Sequence, residues 1–296
     1  MDPEEFARLF ERCSTWGKWG EQDRRGALNH LTPQRVAEAT RLVRDGIAVS
    51  CARPLELRTT VDNPNPPAHR MTSVPAESST GFAADHIGVE CHGEVHSHLD
   101  ALCHVAYEGY LYNGVPASRF QDAGGLEVAE AGITGRGVLL DIAALHGRQW
   151  LDPGHAIGRD ELEAAQRSSG VNVRTGDIVL IRTGQFTRRE QDGPWDSTQA
   201  KAGLDVAAMP WFAEREVSAL GFDGDGDVEP SRVPSVEAPV HVLGITAMGL
   251  HFFDALGLDD LAAACATRRR YEFLFTAAPI RLTGATGCLI NPLALF

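Results

Sequence analysis

Short apolar runs separated by glycine and proline dominate the chain, and long helical stripes are scarce. Gly137-Val-Leu-Leu-Asp141 and Asp177-Ile-Val-Leu-Ile-Arg182 are unbroken aliphatic runs, the pattern of strands covered on both faces. Ser218–Phe222, Leu289-Ile290 and Leu293–Phe296 add further strand material. Helical spacing appears where Val36, Ala39, Leu42 and Val43 follow Thr32-Pro33, with Gly46 closing the run. A threonine cap with proline in the first turn is a good helix start. Arg159–Ser169 before Gly170, Asp205–Glu216 and the region around Leu258–Ala266 read as further helices. Residues 51–80 hold prolines at 54, 64, 66, 67 and 75, which predicts a short strand and then a long surface loop forming a lid or rim. The elements together predict an α/β fold with a mixed sheet core and few long helices. Residues 1–296 read as one domain with residues 1–50 as a helical N-terminal arm, since no repeat, low-complexity block or linker interrupts them.

Candidate chemistry concentrates in Cys91-His-Gly-Glu-Val-His-Ser-His-Leu-Asp-Ala-Leu-Cys-His104. His92, Glu94, His96, His98 and Asp100 share even parity, while Val95, Leu99 and Ala101 are odd. Alternation in a strand would place those five side chains on one face. His98 and Asp100, about 6.6 Å apart along a strand, can converge on one ion. His92, about 20 Å from His98 in a straight strand, reaches it only through a bend or bulge. His104 lies beside Asp100 if the chain turns helical there. One such histidine alone would read as a hydrogen-bonded core residue. Four with an aspartate point to a divalent metal, because imidazole and carboxylate suit zinc, manganese or iron.

His241 stands in Pro239-Val-His-Val-Leu-Gly244, and His251 and Asp254 stand in Gly249-Leu-His-Phe-Phe-Asp254. A lone histidine in an apolar run is ordinarily a satisfied core residue. A metal site that needs a proton carrier and another carboxylate gives His241 and Asp254 a function instead. Competing motifs fail. The acidic run Gly221-Phe-Asp-Gly-Asp-Gly-Asp-Val228 lacks the glycine and glutamate of an EF-hand at Val228 and Pro234. Gly-x-Ser-x-Gly is absent, and Cys103 and His104, being adjacent, point apart. His96-Ser-His98 opens like an amidohydrolase barrel, but Lys18 and Lys201 are the chain's two lysines and neither sits where a bridging lysine belongs.

Composition narrows the partners. The formal charge is 27 − 40 = −13, which repels phosphate-rich ligands and argues against nucleic acid. The 43% hydrophobic and 23% charged content is that of a globular protein. No run approaches the ~18 apolar residues that cross a bilayer, so a membrane is not an expected partner. The acidic start Met1-Asp2-Pro3-Glu4-Glu5 and six scattered cysteines without a Cys-x-x-Cys pair predict a reduced, cytoplasmic protein. The expected partner is a small-molecule substrate.

Ser97-His98-Leu-Asp100-Ala-Leu-Cys-His104 resembles the second half of His-x-Gly-Thr-His-x-Asp-x-Pro-x-His. That signature belongs to the putative cyclase family of kynurenine formamidase-like metal-dependent hydrolases, with isatin hydrolases and some lactone hydrolases among them. Trp19-Gly20, Gly176-Asp-Ile-Val-Leu-Ile-Arg-Thr-Gly184, His241 and Asn291-Pro292 extend the resemblance over nearly the whole chain. It implies a compact β/β/α fold, a zinc or manganese site, a homodimer or homotetramer, and hydrolysis of an amide, formamide, lactam or lactone. Metal-dependent ring closure in polyketide assembly and a non-catalytic binding role are the alternatives. Carried over by position, His98 and Asp100 are metal ligands, and His104 is a ligand or a catalytic residue. His241, as proton carrier, and Asp254 align with the family's downstream His and Glu. Glu94 stands where the signature has its first His, so that ligand is His92 or Glu94, with His92 favoured. Asp254, shorter than Glu, favours one ion over two. Trp16 and Trp19 are expected in the core rather than at a substrate rim.

Overall fold

The computed structural model describes residues 1–77 and 80–296. The chain first forms β1 (Ala48–Ser50), the hairpin β2–β3 (Ala68–Ser73 and Ala84–Gly88), β4 (His98–Asp100), the pair β5–β6 (Tyr110–Leu111 and Val115–Pro116) and β7 (Ile133–Asp141). Then come β8 (Ala156–Ile157), β9 (Ile178–Arg182), β10 (Gly203–Leu204), β11 (Ala219–Phe222) and β12 (His251–Asp254). Last are β13 (Glu272–Ala277), β14 (Gly287–Leu289) and β15 (Leu293–Leu295). A nine-stranded sheet takes the order β1-β15-β13-β7-β9-β11-β12-β4-β14. Its helices are short: α1 (Pro3–Cys13), α2 (Pro33–Thr40), α3 (Ile142–Leu145), α4 (Arg159–Ser169), α5 (Gln185–Asp192), α6 (Met209–Arg215), α7 (Pro239–His241) and α8 (Asp259–Arg268). Among the described residues, no helix is long and apolar enough to cross a membrane.

The sheet is mixed. β7, β9, β11 and β12 run parallel at its centre, and β4, β13, β14 and β15 pair antiparallel around them. Parallel strands need cover on both faces, and side-chain alternation supplies an apolar cluster to each. Val138, Leu140, Val179, Ile181 and Phe252 pack on one side, and Leu139, Ile178, Leu180 and Phe253 on the other. Phe6, Leu9 and Cys13 of α1 join the first cluster, so the helical start of the chain is packed onto the sheet. The predicted mixed α/β architecture with short helices is the one observed.

Helix α4 ends at Gly170 with φ 68°, the left-handed stop that its glycine predicts. Elsewhere the boundaries moved. Strand β7 begins at Ile133 and runs through Gly135 and Gly137, because a side chain at Gly137 would lie 2.2 Å from the Phe273 ring. Glycine there marks close packing rather than a strand end. Helix α2 stops at Thr40, before Leu42 and Val43. The strand expected after residue 51 lies earlier, at Ala48–Ser50, and the expected loop contains the hairpin β2–β3. Neither hairpin face is buried, so no hydrophobic alternation recorded it. Residues 78–79 of that stretch lie outside the described residues.

His251 on β12 is fully buried with neither ring nitrogen hydrogen-bonded. Burial first, then the Arg25 charge, pushes its pKa down to about 4, against the pull of Asp100. The unfolded chain therefore binds a proton near pH 6.5 that the folded chain refuses until about 4, so stability is lost as pH falls through that window. The unfolding free energy from denaturant titrations at pH 7 to 4 should fall by about 1–3 kcal/mol on this account. The slope should flatten in His251→Phe; an unchanged slope would assign the acid sensitivity elsewhere.

Candidate metal centre

Strand β4 sits between β12 and β14, and its register places Asp254 opposite His98 and Phe252 opposite Asp100. His98, Asp100 and Asp254 therefore share one sheet face. The strand is only three residues long, and the chain before it bends. The five-ligand face predicted from parity is thus corrected: His98 and Asp100 keep it, and the others do not. His96 turns its Nε2 to the Glu56 carbonyl at 3.2 Å. Glu94 pairs with Lys201 Nζ at 2.8 Å, which engages it away from His98 and Asp100. The bend instead swings His92 over the strand, where Gly287 leaves it room; a side chain there would lie 2.6 Å from His92 Cε1.

The structure brings two triads together on Asp100. His92, His98 and Asp100 offer ligand atoms within 4.8 Å of one another, as do Asp100, His241 and Asp254. His92 Nδ1 lies 2.8 Å and His98 Nε2 3.5 Å from Asp100 Oδ1. On the other oxygen, His241 Nε2 lies 3.6 Å and His104 Nε2 4.0 Å from Asp100 Oδ2. His241 Nε2 also meets Asp254 Oδ2 at 3.1 Å. His92 and His104 stack face to face with centroids 3.7 Å apart, and at 27% and 30% side-chain exposure they form the open side of the cluster. A cleft of about 250 Å³, lined by Val61, Pro64, His92, Glu94, Asp196 and Ser197 among others, reaches His92.

Hydrogen bonds fix which nitrogens point inward. His98 Nδ1 donates to the His96 carbonyl at 2.7 Å, leaving the Nε2 lone pair toward Asp100. His92 Nε2 is occupied by Thr286 Oγ1 at 3.0 Å, leaving Nδ1 toward the same oxygen. Outer partners of this kind orient metal-binding imidazoles. His92 Nδ1, Asp100 Oδ1 and Asp254 Oδ1 are buried with no aligned hydrogen-bond partner. Imidazole and carboxylate atoms gathered this closely in a buried place are what a shared cation would satisfy, so the residues present fit a divalent ion.

The charges divide the imidazoles. Burial keeps His98 neutral, outweighing Asp100. It also drives His104 down to about 4, with Asp100 opposing and His92 and His241 assisting. At His92 burial acts downward too, but contacts with Asp100 and Cys91 override it and raise the group to about 10. His241 is raised well above its ordinary value, burial being overcome by Asp254, Asp100 and Asp227. Burial raises Asp254, with His241 opposing it.

Sequence reading missed the residues behind these. The acidic run that fails as a calcium loop supplies three separate supports. Asp223 accepts the Thr183 and Gly184 N–H groups at the end of β9. Asp225, with Glu94, surrounds Lys201, which is 4% exposed. Asp227 accepts from His241 Nδ1 at 2.7 Å. The i, i+2 spacing of the three acids was the one signal available. Trp16 and Trp19 are not core residues: Trp16 is 36% exposed, with its indole N–H on the Thr246 carbonyl at 2.7 Å, and Trp19 is half-buried against His30.

Residues 27–226 match the protein family described as "Putative cyclase"; that segment holds His92, His98, Asp100 and His104 and stops before His241 and Asp254. No curated protein matches the sequence. Among solved structures, one described as a novel cyclase is 32% identical with a TM-score of 0.86, covering 97% of this chain and 99% of its own. Isatin hydrolase A from Labrenzia aggregata shares the fold at 19% identity and TM-score 0.64, covering 90% and 98%. A predicted metal-dependent hydrolase from Bacillus stearothermophilus does so at 16% and 0.53, covering 84% and 97%. With two thirds of its length inside the family match and a 32% identical structure spanning nearly all of it, the chain belongs to the cyclase family.

Proposed function

We propose that this cyclase-family chain is a metal-dependent hydrolase that opens an amide, formamide, lactam or lactone. The observation that carries the reading is the convergence of His92, His98 and Asp100, whose ligand atoms lie within 4.8 Å of one another in the buried cluster. The shared fold with an isatin hydrolase and a predicted metal-dependent hydrolase is in keeping with it. His92, His98 and Asp100 would hold one zinc or manganese ion, and Asp254 keeps Oδ1 available to it. Bound there, the ion supplies Lewis acidity toward a carbonyl oxygen and makes water more acidic.

The chain's own residues handle protons from two sides. His104, neutral at pH 7, is an acceptor for the proton that water gives up. His241, protonated between Asp227 and Asp254, is a donor to the departing nitrogen or oxygen. Environments that push two histidines apart in this way assign acid and base. Asp227 acts through His241 by fixing its ring. The His241–Asp254 contact is an aligned hydrogen bond at 3.1 Å, which favours one ion with a proton-handling pair beside it.

We also place a second copy of this chain against the hairpin β2–β3. Phe82 is 84% and Ile87 55% exposed there, and a two-stranded hairpin without a third layer is marginal in water. A homodimer would cover it.

Three outcomes are expected. Asp100→Ala should lose one equivalent of bound metal relative to the native chain, by elemental analysis, and hydrolysis of a formamide, lactam and lactone panel; metal content equal to that of the native chain would remove Asp100 from the ligand set. His241→Gln should keep its metal while kcat falls by about 10²–10⁴, and unchanged turnover would demote His241 to packing. Light scattering should give twice the chain mass for the native protein and a shift to monomer for Phe82→Asp/Ile87→Asp; a native monomer would sink the dimer.

A further inference from the structure

His146, His155 and Glu161 form a separate group of ligating side chains, with their ligand atoms within 4.8 Å of one another. His146 caps the C-terminal end of α3, its N–H on the Ile142 and Ala143 carbonyls. His155 stands just before β8, its N–H on the Asp152 carbonyl at 3.0 Å. Glu161 lies in the first turn of α4, where its Oε2 accepts the Gly158 N–H at 3.0 Å. Backbone hydrogen bonds therefore anchor the main chain at both histidines, and the glutamate carboxylate is held by one of its own oxygens.

Glu161 Oε1 is approached by His146 Nε2 at 2.6 Å and by His155 Nε2 at 2.8 Å. The two rings stand 5.3 Å apart at 70°. A surface ion pair requires one imidazole on a carboxylate, not two on the same oxygen. A single cation in place of the two ring protons satisfies all three atoms.

We infer that His146 Nε2, His155 Nε2 and Glu161 Oε1 form a second binding site, for a borderline divalent transition metal such as zinc. Two imidazoles and one carboxylate suit zinc and its neighbours, whereas magnesium and calcium demand oxygen. Ligand atoms around tetrahedral zinc lie about 3.3 Å apart, so His146, at 2.6 Å, must move outward by about 0.7 Å and His155, at 2.8 Å, by about 0.5 Å. His146 is exposed and His155 half-buried, which leaves room for that movement and for water at the remaining position. An ion there ties the end of α3 and the connection to β8 onto the start of α4. Binding displaces ring protons, so affinity falls at acid pH. A count of two ions per chain therefore does not by itself indicate a two-metal centre around Asp100.

Calorimetric titration of metal-stripped protein with Zn²⁺ tests the site, with His146→Ala/His155→Ala for comparison. The native chain should take up one more equivalent than the double variant, whose melting temperature in chelator should match that of the native chain. Glu161→Gln keeps an acceptor for the Gly158 N–H and should weaken the extra equivalent at least tenfold, which covers any folding defect of the double variant. Equal zinc uptake by all three proteins would overturn the proposal.

Discussion

A buried carboxylate organises this molecule. Asp100 is 1% exposed, and removing an unpaired carboxylate from water costs several kcal/mol even after relaxation. The fold meets that cost by crowding His92, His98, His104 and His241 around its two oxygens. These come from different parts of the chain: the bend before β4, β4 itself, the turn after it, and α7. They meet because β4 is inserted antiparallel between β12 and β14, and because Gly287 and Gly244 leave space for the His92 and Phe252 rings. Sheet register and electrostatic need point to the same place.

A second acidic group is handled differently. Glu94 and Asp225 are held by the buried ammonium of Lys201, and Asp227 spends its oxygens on the Val240 and His241 N–H groups and the His241 ring. The centre is therefore layered. Atoms free of aligned hydrogens lie at Asp100 Oδ1, His92 Nδ1 and Asp254 Oδ1, and Lys201 and Asp227 stand behind them in contacts of their own. Such a layer holds the candidate ligands in place from behind, with His104 and His241 both turned to Asp100 Oδ2.

Much of this was written in the sequence, and the losses have physical causes. Aliphatic runs marked β7, β9 and β11 because strands covered on both sides need continuous hydrophobicity. Gly170 marked the end of α4 because only a residue free of a Cβ takes that φ without strain. The His98-Leu-Asp100 alternation held because a strand enforces it. The same parity failed at Glu94 and His96, where the chain bends and alternation no longer dictates a face. The hairpin β2–β3 left no trace, since neither of its faces is buried and nothing imposes a period. The roles of Asp223, Asp225, Asp227 and Lys201 depend on distant partners, which local spacing cannot name.

X-ray absorption at the zinc edge tests the central claim most directly, on zinc-loaded protein carrying His146→Ala/His155→Ala so that one site is observed. Ligation by His92, His98 and Asp100 predicts a first shell of nitrogen and oxygen at about 2.0–2.2 Å, with the outer scattering of imidazole rings. A shell containing sulfur near about 2.3 Å, or one of oxygen alone without imidazole scattering, would contradict it.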